Sequence, residues 1–326
     1  MKKSYFCEKL EKTLHFLPNK IQYCCSCTIG ANYEIENFSQ ISKKDITKKR
    51  EEYIELLNEG IIPKGCVGCV EYKEKEYKKQ NSFQKFFNKK NKISHIILDH
   101  YKQCDCTCIY CSQKILYPQT MQNYDVLPII KQLYKQNMIS QKHLTVEFQG
   151  GNISCLKEFE ALIEEFNKKK NIHFIFLTNG IKHLPILETL PNSENHHICI
   201  SLDAGTKATF KKIKNVDAFE NVIQNIKTIN EKTKMSIGLK YIIIKGINDN
   251  AEELNKFLNL SKEIKNVSPI YLEIDYNNTI LNGDTEFKVP AHYYELFDIT
   301  ENFCKENNLN YIFFPHTKRI LENGRS

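Results

Sequence analysis

No apolar run in the 326 residues approaches the ~20 that a membrane-crossing helix needs. The opening segment, MKKSYFCEKLEK, likewise lacks an apolar stretch long enough for a secretory signal. A cytoplasmic protein with no membrane partner is therefore expected. Thirteen cysteines without an export signal argue against a disulfide framework and for thiolates kept reduced and bound to metal. A strong charge imbalance is also missing. The net charge of +7 could suit an anionic partner such as nucleic acid, but Lys, Asn and Ile recur everywhere, so the excess reads as solvated faces. Only Tyr72 to Lys92 concentrates it, with Phe83, Phe86 and Phe87 interleaved. An amphipathic linker helix is expected there, with a nucleic-acid patch as the alternative.

What is present is a globular composition, 41% hydrophobic and 11% aromatic, in a chain long enough for a barrel-sized domain plus an appendage. Its densest feature is CDCTCIYC, Cys104 to Cys111. Cys104, Cys108 and Cys111 stand at Cys-x3-Cys-x2-Cys, with Tyr110 before the last. Zinc held by Cys104, Cys106, Cys108 and Cys111 is the plain alternative. Cys155, Cys199 and Cys304 sit singly among apolar residues and read as small core side chains.

The three-cysteine spacing resembles the signature of the radical S-adenosylmethionine (radical SAM) superfamily. The resemblance implies a [4Fe-4S] cluster on Cys104, Cys108 and Cys111, with Cys106 outside the ligand set. Three thiolates hold three of four irons, and the open iron binds S-adenosylmethionine. An electron delivered by a flavodoxin- or ferredoxin-type donor then releases a 5'-deoxyadenosyl radical, which takes hydrogen from a substrate. Tyr110 would lie against the adenine.

From Ile93 onward, short apolar strands alternate with amphipathic helices, the pattern of repeated βα units on a parallel sheet. Six such units match the family's partial (β/α)6 TIM-like barrel, whose sites form at strand ends. The expected division is 1–92, a small cysteine-rich domain ending in the linker helix, and 93–326, the barrel. After the second barrel strand, Gly150, Gly151 and Asn152 resemble the family's Gly-Gly-Glu, implying close backbone approach to the methionyl amino group, with Asn152 replacing Glu. Asn179 in Thr-Asn-Gly, and Ser201 and Asp203 in Ser-x-Asp-x-Gly, resemble further cofactor-binding ends, and Lys240, Lys245 and Asn248 the fifth-strand segment. Glu147, Glu273 and Asp275 lie on strands and are candidate acid/base or substrate-hydroxyl groups if they face inward.

The amino-terminal region carries Cys7, Cys24, Cys25, Cys27, Cys66 and Cys69. Pro18 to Cys25 looks like the hairpin that precedes a cluster cysteine in auxiliary-cluster (SPASM or twitch) domains. This implies a second iron-sulfur cluster on Cys7, Cys24, Cys66 and Cys69, with Cys25 as substitute for Cys24 and zinc as the alternative metal. Ile46 to Gly60 shows helical spacing and a glycine stop. No feature separates a sugar, a peptide or a nucleotide as substrate. A sugar or other small polar metabolite is expected, with a peptide or RNA substrate, or a non-catalytic metal-binding module, as alternatives.

Overall fold

The computed structural model of the chain describes residues 3–18, 20–24, 32–34, 43–63, 66, 72–76, 92–111, 113, 124–275, 289–313 and 317. Cys25, Cys27, Cys69 and most of the stretch between Tyr72 and Lys92 lie outside them. The chain divides into two compact units: Met1–Lys102 with Thr120–Gly151 and Lys157–Phe174, and Gln103–Gln119 with Asn152–Leu156 and Ile175–Ser326.

The first unit holds β1 (Lys3–Phe6), β2 (Thr13–Phe16), β3 (Lys20–Gln22), β4 (Asn32–Glu34), β5 (Lys73–Glu76), β6 (His95–Leu98), β7 (Leu144–Phe148) and the start of β8 (Ile172–Thr178). β7, β6 and β2 pair in parallel, and the antiparallel β2–β3–β4 meander extends them. In β7 the alternation is clean: Leu144, Val146 and Phe148 are buried, Thr145 and Glu147 half-buried. Phe148 meets Phe159 and Phe174, and Phe174 meets Phe166, so the helix Phe159–Asn167 closes an aromatic core over this face. The helix Lys43–Asn58 ends at Gly60, which takes a left-handed φ of +83° and brings the Ile61 N–H to the Leu56 carbonyl at 2.9 Å. Its Arg50 is buried and donates to the Thr13 carbonyl at 3.0 Å.

Two expectations need correction here. The boundary placed between residues 92 and 93 does not coincide with the division into units, because Thr13–Phe16 pairs in parallel with His95–Leu98. The linker helix is overturned at Lys73–Glu76, which forms β5 antiparallel to β1. Its alternating Lys and Glu suit an edge pair, where Lys3 meets Glu74 at 3.0 Å, better than an apolar helix face.

The second unit holds the end of β8, then β9 (His197–Ser201), β10 (Ser236–Ile243), β11 (Val267–Ile274) and β12 (Tyr311–Phe313), paired in that order and all parallel. The helices Lys207–Lys214, Phe219–Lys232, Ala251–Ser261 and Ala291–Glu306 separate them. Thr206 and Asn250 cap two of these helices, each side chain accepting from the backbone N–H three residues on. Ile198 and Ile200 on β9 and Leu239 on β10 form buried core with Val222 and Ile226. His197 and Ser201, the two ends of β9, are half-buried while the three residues between them are buried. The architecture is mixed α/β with a parallel sheet. Among the described residues, no helix is long and apolar enough to cross a membrane.

Candidate functional site

The cysteine loop lies in the second unit and is tied down along its length. Thr107 N–H donates to the Lys214 carbonyl at 3.1 Å and Ile109 N–H to the Ile213 carbonyl at 3.0 Å. The Asn215 carboxamide, at the left-handed end of the helix Lys207–Lys214, donates to the Thr107 carbonyl at 2.8 Å. Tyr110 and Ile247 pack on buried Ile213, Ile242 and Ile244. Cys104 is exposed, Cys106 buried, and Cys108 and Cys111 half-buried.

An ion pair closes the far end of this loop. Lys214, only 1% exposed, donates to Asp203, which is fully buried. The Tyr110 hydroxyl donates to the same Asp203 oxygen at 2.6 Å, and Lys214 reaches the Tyr110 hydroxyl at 2.7 Å and stands 5.1 Å over its ring. Burial would lower the Lys214 ammonium, but Asp203 and Cys108 outweigh it and hold it raised. Asp203 takes a left-handed φ of +59°, which lets its other oxygen accept from the Ile242 N–H at 2.9 Å. Asn248 locks the turn, donating to the carbonyls of Asp203 and Ile242 at 2.9 and 2.8 Å.

A second network holds the near end. Asn152 is 1% exposed, and its carboxamide oxygen accepts from Thr178 Oγ1 at 2.8 Å and the Asn179 N–H at 3.2 Å. Its nitrogen donates to Asp105 Oδ1 at 3.1 Å and Ser154 Oγ at 2.6 Å. Asn179 Nδ2 contacts Asp105 at 2.5 Å and Cys106 Sγ at 3.2 Å.

The thiols are not equivalent. Hydrogen bonding from Cys106 pulls Cys108 down to about 6 against its burial, with Lys214 assisting. Cys104 is lowered by the same donor, while the Cys106 thiol, hydrogen-bonded to both, is pushed far up. The loop therefore favours deprotonation at Cys104 and Cys108 and holds the Cys106 thiol protonated.

Among the described residues, the group close enough to share one ion is Cys104, Asp105 and Cys106, with ligand atoms within 4.8 Å of one another. Cys104, Cys108 and Cys111 are not gathered as a one-ion site.

The remaining expected residues fall as follows. The polar side-chain atoms of Asn152, Asp203 and Tyr110 are engaged by protein partners, so these side chains fix the loop. In the first unit, Gly151 N–H donates to the Tyr101 carbonyl at 3.0 Å, and it is Gly150, with φ +98°, that needs to be glycine: a Cβ there would meet that carbonyl at 2.7 Å. Ser201 ends β9 opposite Lys240, and Lys240 meets Glu273 at 3.1 Å. Glu147, in the first unit, pairs with His95 at 3.3 Å and accepts from Gln149; these bonds outweigh burial and hold it below its ordinary value. Asp275 follows β11, its N–H on the Ile243 carbonyl. Cys7 is buried as the cap of the helix Glu8–Lys12, and Cys24 is buried with Gln22 donating to its sulfur at 3.7 Å. Among the described residues, Cys7, Cys24 and Cys66 do not form one ligand group; Cys69 and Cys25 lie outside them. Cys199 and Cys304 are buried, and Cys155 is half-buried. Lys214 and Asp105 were not singled out by sequence, since a Lys-rich helix end and a loop Asp both read as solvated. Glu253, buried and accepting from Gly205 N–H at 2.8 Å and Thr206 N–H at 2.9 Å, was equally silent.

A parallel α/β scaffold carrying a loop of closely spaced thiols is one that can hold a metal or an iron-sulfur group. The Radical SAM superfamily description matches residues 98–260, half of the chain, and the chain belongs to that family. The family is one of enzymes that use a [4Fe-4S] cluster and S-adenosylmethionine. The chain is similar to the GTP 3',8-cyclase of Clostridium acetobutylicum, 30% identical over 174 residues, covering 53% of this chain and 54% of that protein. For the Helicobacter pylori GTP 3',8-cyclase the values are 26% over 195 residues, with 57% of each covered. The chain thus spans about half the length of the curated relatives it matches. Among solved structures, Streptococcus suis SuiB bound to precursor peptide SuiA gives a TM-score of 0.54 at 15% identity, covering 99% of this chain and 74% of that one. This likeness shows the fold.

Proposed function

We propose that this chain cleaves S-adenosylmethionine reductively at a [4Fe-4S] cluster held by Cys104, Cys108 and Cys111, and directs the radical to a small polar substrate. The observation that carries this reading is the loop itself, with two thiols lowered and its backbone tied to Ile213 and Lys214. When bound, the cluster and S-adenosylmethionine supply an electron and a carbon-centred radical. The chain's own contribution is placement. Lys214 and Asp203 fix Tyr110 and the Cys108–Cys111 end, Asn152 and Asn179 fix the Cys104 end, and the Cys106 N–H donates to Cys104 Sγ.

Polar groups on β9, β10 and β11 support a polar substrate. Ser201, Lys240 and Glu273 occupy adjacent strands, and Tyr271 hydroxyl and His197 Nε2 lie 3.1 Å apart. A sugar or other small polar metabolite suits these donors and acceptors. The relatives' activity on GTP makes a nucleotide the first compound to try. A flavodoxin- or ferredoxin-type donor would supply the electron, and the amino-terminal cysteines would hold a second cluster or zinc.

The test is anaerobic reconstitution followed by assay for 5'-deoxyadenosine, with and without GTP. Cys108→Ala is expected to abolish its formation, whereas Cys106→Ala retains it. Full formation by Cys108→Ala would reject the ligand assignment.

A further inference from the structure

Asp105 is the one carboxylate on the cysteine loop. It stands between Cys104 and Cys106 in a turn where the Cys106 N–H donates to Cys104 Sγ at 3.4 Å. Its Oδ1 accepts from Asn152 Nδ2 at 3.1 Å and Asn179 Nδ2 at 2.5 Å, and its Oδ2 from Ser154 Oγ at 3.3 Å. Lys182 lies 3.9 Å away with its side chain 56% exposed, so it adds little. Every strong partner of Asp105 is thus a neutral donor from the segment after β7 or the end of β8.

Position 152 is constrained by the same geometry. It must accept from Thr178 Oγ1 and the Asn179 N–H while donating to Asp105 and Ser154, four bonds that use every donor and acceptor of a carboxamide. A carboxylate of similar shape keeps the two acceptor contacts but has no hydrogen to give. It would set two carboxylate oxygens 3.1 Å apart in a site where residue 152 is 1% exposed. An Asp at position 152 is therefore incompatible with Asp105 as the loop now stands.

We propose that Asp105 is a positioning residue for Cys104, and that it forms with Asn152 a matched pair in which the loop carries the carboxylate and position 152 the carboxamide. The pair links the first cysteine of the loop to the end of β8, as Lys214 and Asp203 link the last. It rests on the reading that this loop holds a cluster.

Parent, Asn152→Asp, Asp105→Ala and the double variant Asp105→Asn/Asn152→Asp are reconstituted anaerobically. Iron per chain, the rate of iron loss to a chelator, the electron paramagnetic resonance line shape of the reduced cluster and far-ultraviolet circular dichroism are compared. Asn152→Asp and Asp105→Ala are expected to lose iron roughly tenfold faster than the parent, the effect of removing a hydrogen bond to a charged group, with helical dichroism retained. The double variant recovers a large part of that loss, because one carboxylate again faces one carboxamide. If Asn152→Asp does not fold, half-buried Asp105 still allows Asp105→Ala to decide the matter. Parent-like iron retention by either single variant overturns the proposal, as does a double variant no better than Asn152→Asp. A parent that binds no iron overturns the cluster reading as well.

Discussion

Replacing Lys214 by Met would remove the ion-pair partner of a carboxylate that has no exposure to water. Burying both groups was costly, so the pair itself is a poor source of net stability. Removing only the cation is a different perturbation, because Asp203 stays where its backbone φ of +59° and its bond to Ile242 N–H hold it. Breaking a buried pair from one side costs about 3–5 kcal/mol. At about 2–4 °C per kcal/mol, the unfolding midpoint should fall by roughly 10 °C. Loss of the ammonium over the Tyr110 ring adds to the effect in the loop. Asp203→Asn added to Lys214→Met removes the stranded charge while leaving an acceptor for Ile242, and Asn tolerates the left-handed conformation. The double variant should therefore be more stable than Lys214→Met alone, its deficit being about 1–3 kcal/mol from imperfect hydrogen bonding. Urea unfolding of the metal-free protein, followed by circular dichroism, measures both. A loss below about 1 kcal/mol for Lys214→Met, the scale of an exposed pair, would refute the reasoning. So would a double variant less stable than the single one.

Two further outcomes follow from other parts of the chain. Burial pushes the His100 imidazole down to about 4 even though Glu158 lies 3.0 Å away, so the neutral ring donates Nε2–H to that carboxylate. The unfolded chain, with an ordinary value near 6.5, then takes up the proton first, and stability present above about pH 6.5 is lost as pH falls toward about 4. Between pH 7 and 5 this amounts to about 2 kcal/mol, and His100→Gln should lack that share of the dependence; parallel stability curves for parent and variant would refute it. In the amino-terminal region, a Cys104/Cys108/Cys111 triple alanine variant is expected to keep about four irons where the parent keeps about eight, if Cys7, Cys24, Cys66 and Cys69 hold a second cubane. Stoichiometric zinc with no cubane signal in the reduced variant would reject that cluster.

Much of the parallel sheet was legible because its strands write their burial in the sequence. LTVEF and IHFIFLT alternate or run apolar between polar turns, and each became a strand as read. Thr13–Phe16 was not legible. Four residues, TLHF, carry no period that distinguishes a parallel sheet strand from a loop, and the partner, His95–Leu98, lies some eighty residues on. The start of the Tyr72 to Lys92 stretch misled, because its Lys and Glu read as part of a helix while Lys73–Glu76 finds its hydrogen bonds on β1. At the candidate site the positions were visible but not their employment. Asp203 and Asn152 were recognised as strand-end polar residues, yet what each touches depends on Lys214 and Asp105, whose side chains sequence alone places in solvent.

The central claim is that three thiolates from one loop leave a cluster position for S-adenosylmethionine. The most direct measurement is electron-nuclear double resonance of the reduced, reconstituted protein with S-adenosylmethionine carrying a nitrogen isotope label in its amino group. A label-dependent coupling to the cluster, lost in Cys108→Ala, is the result expected. A well-formed reduced cluster whose spectrum is unchanged by saturating S-adenosylmethionine would contradict the claim.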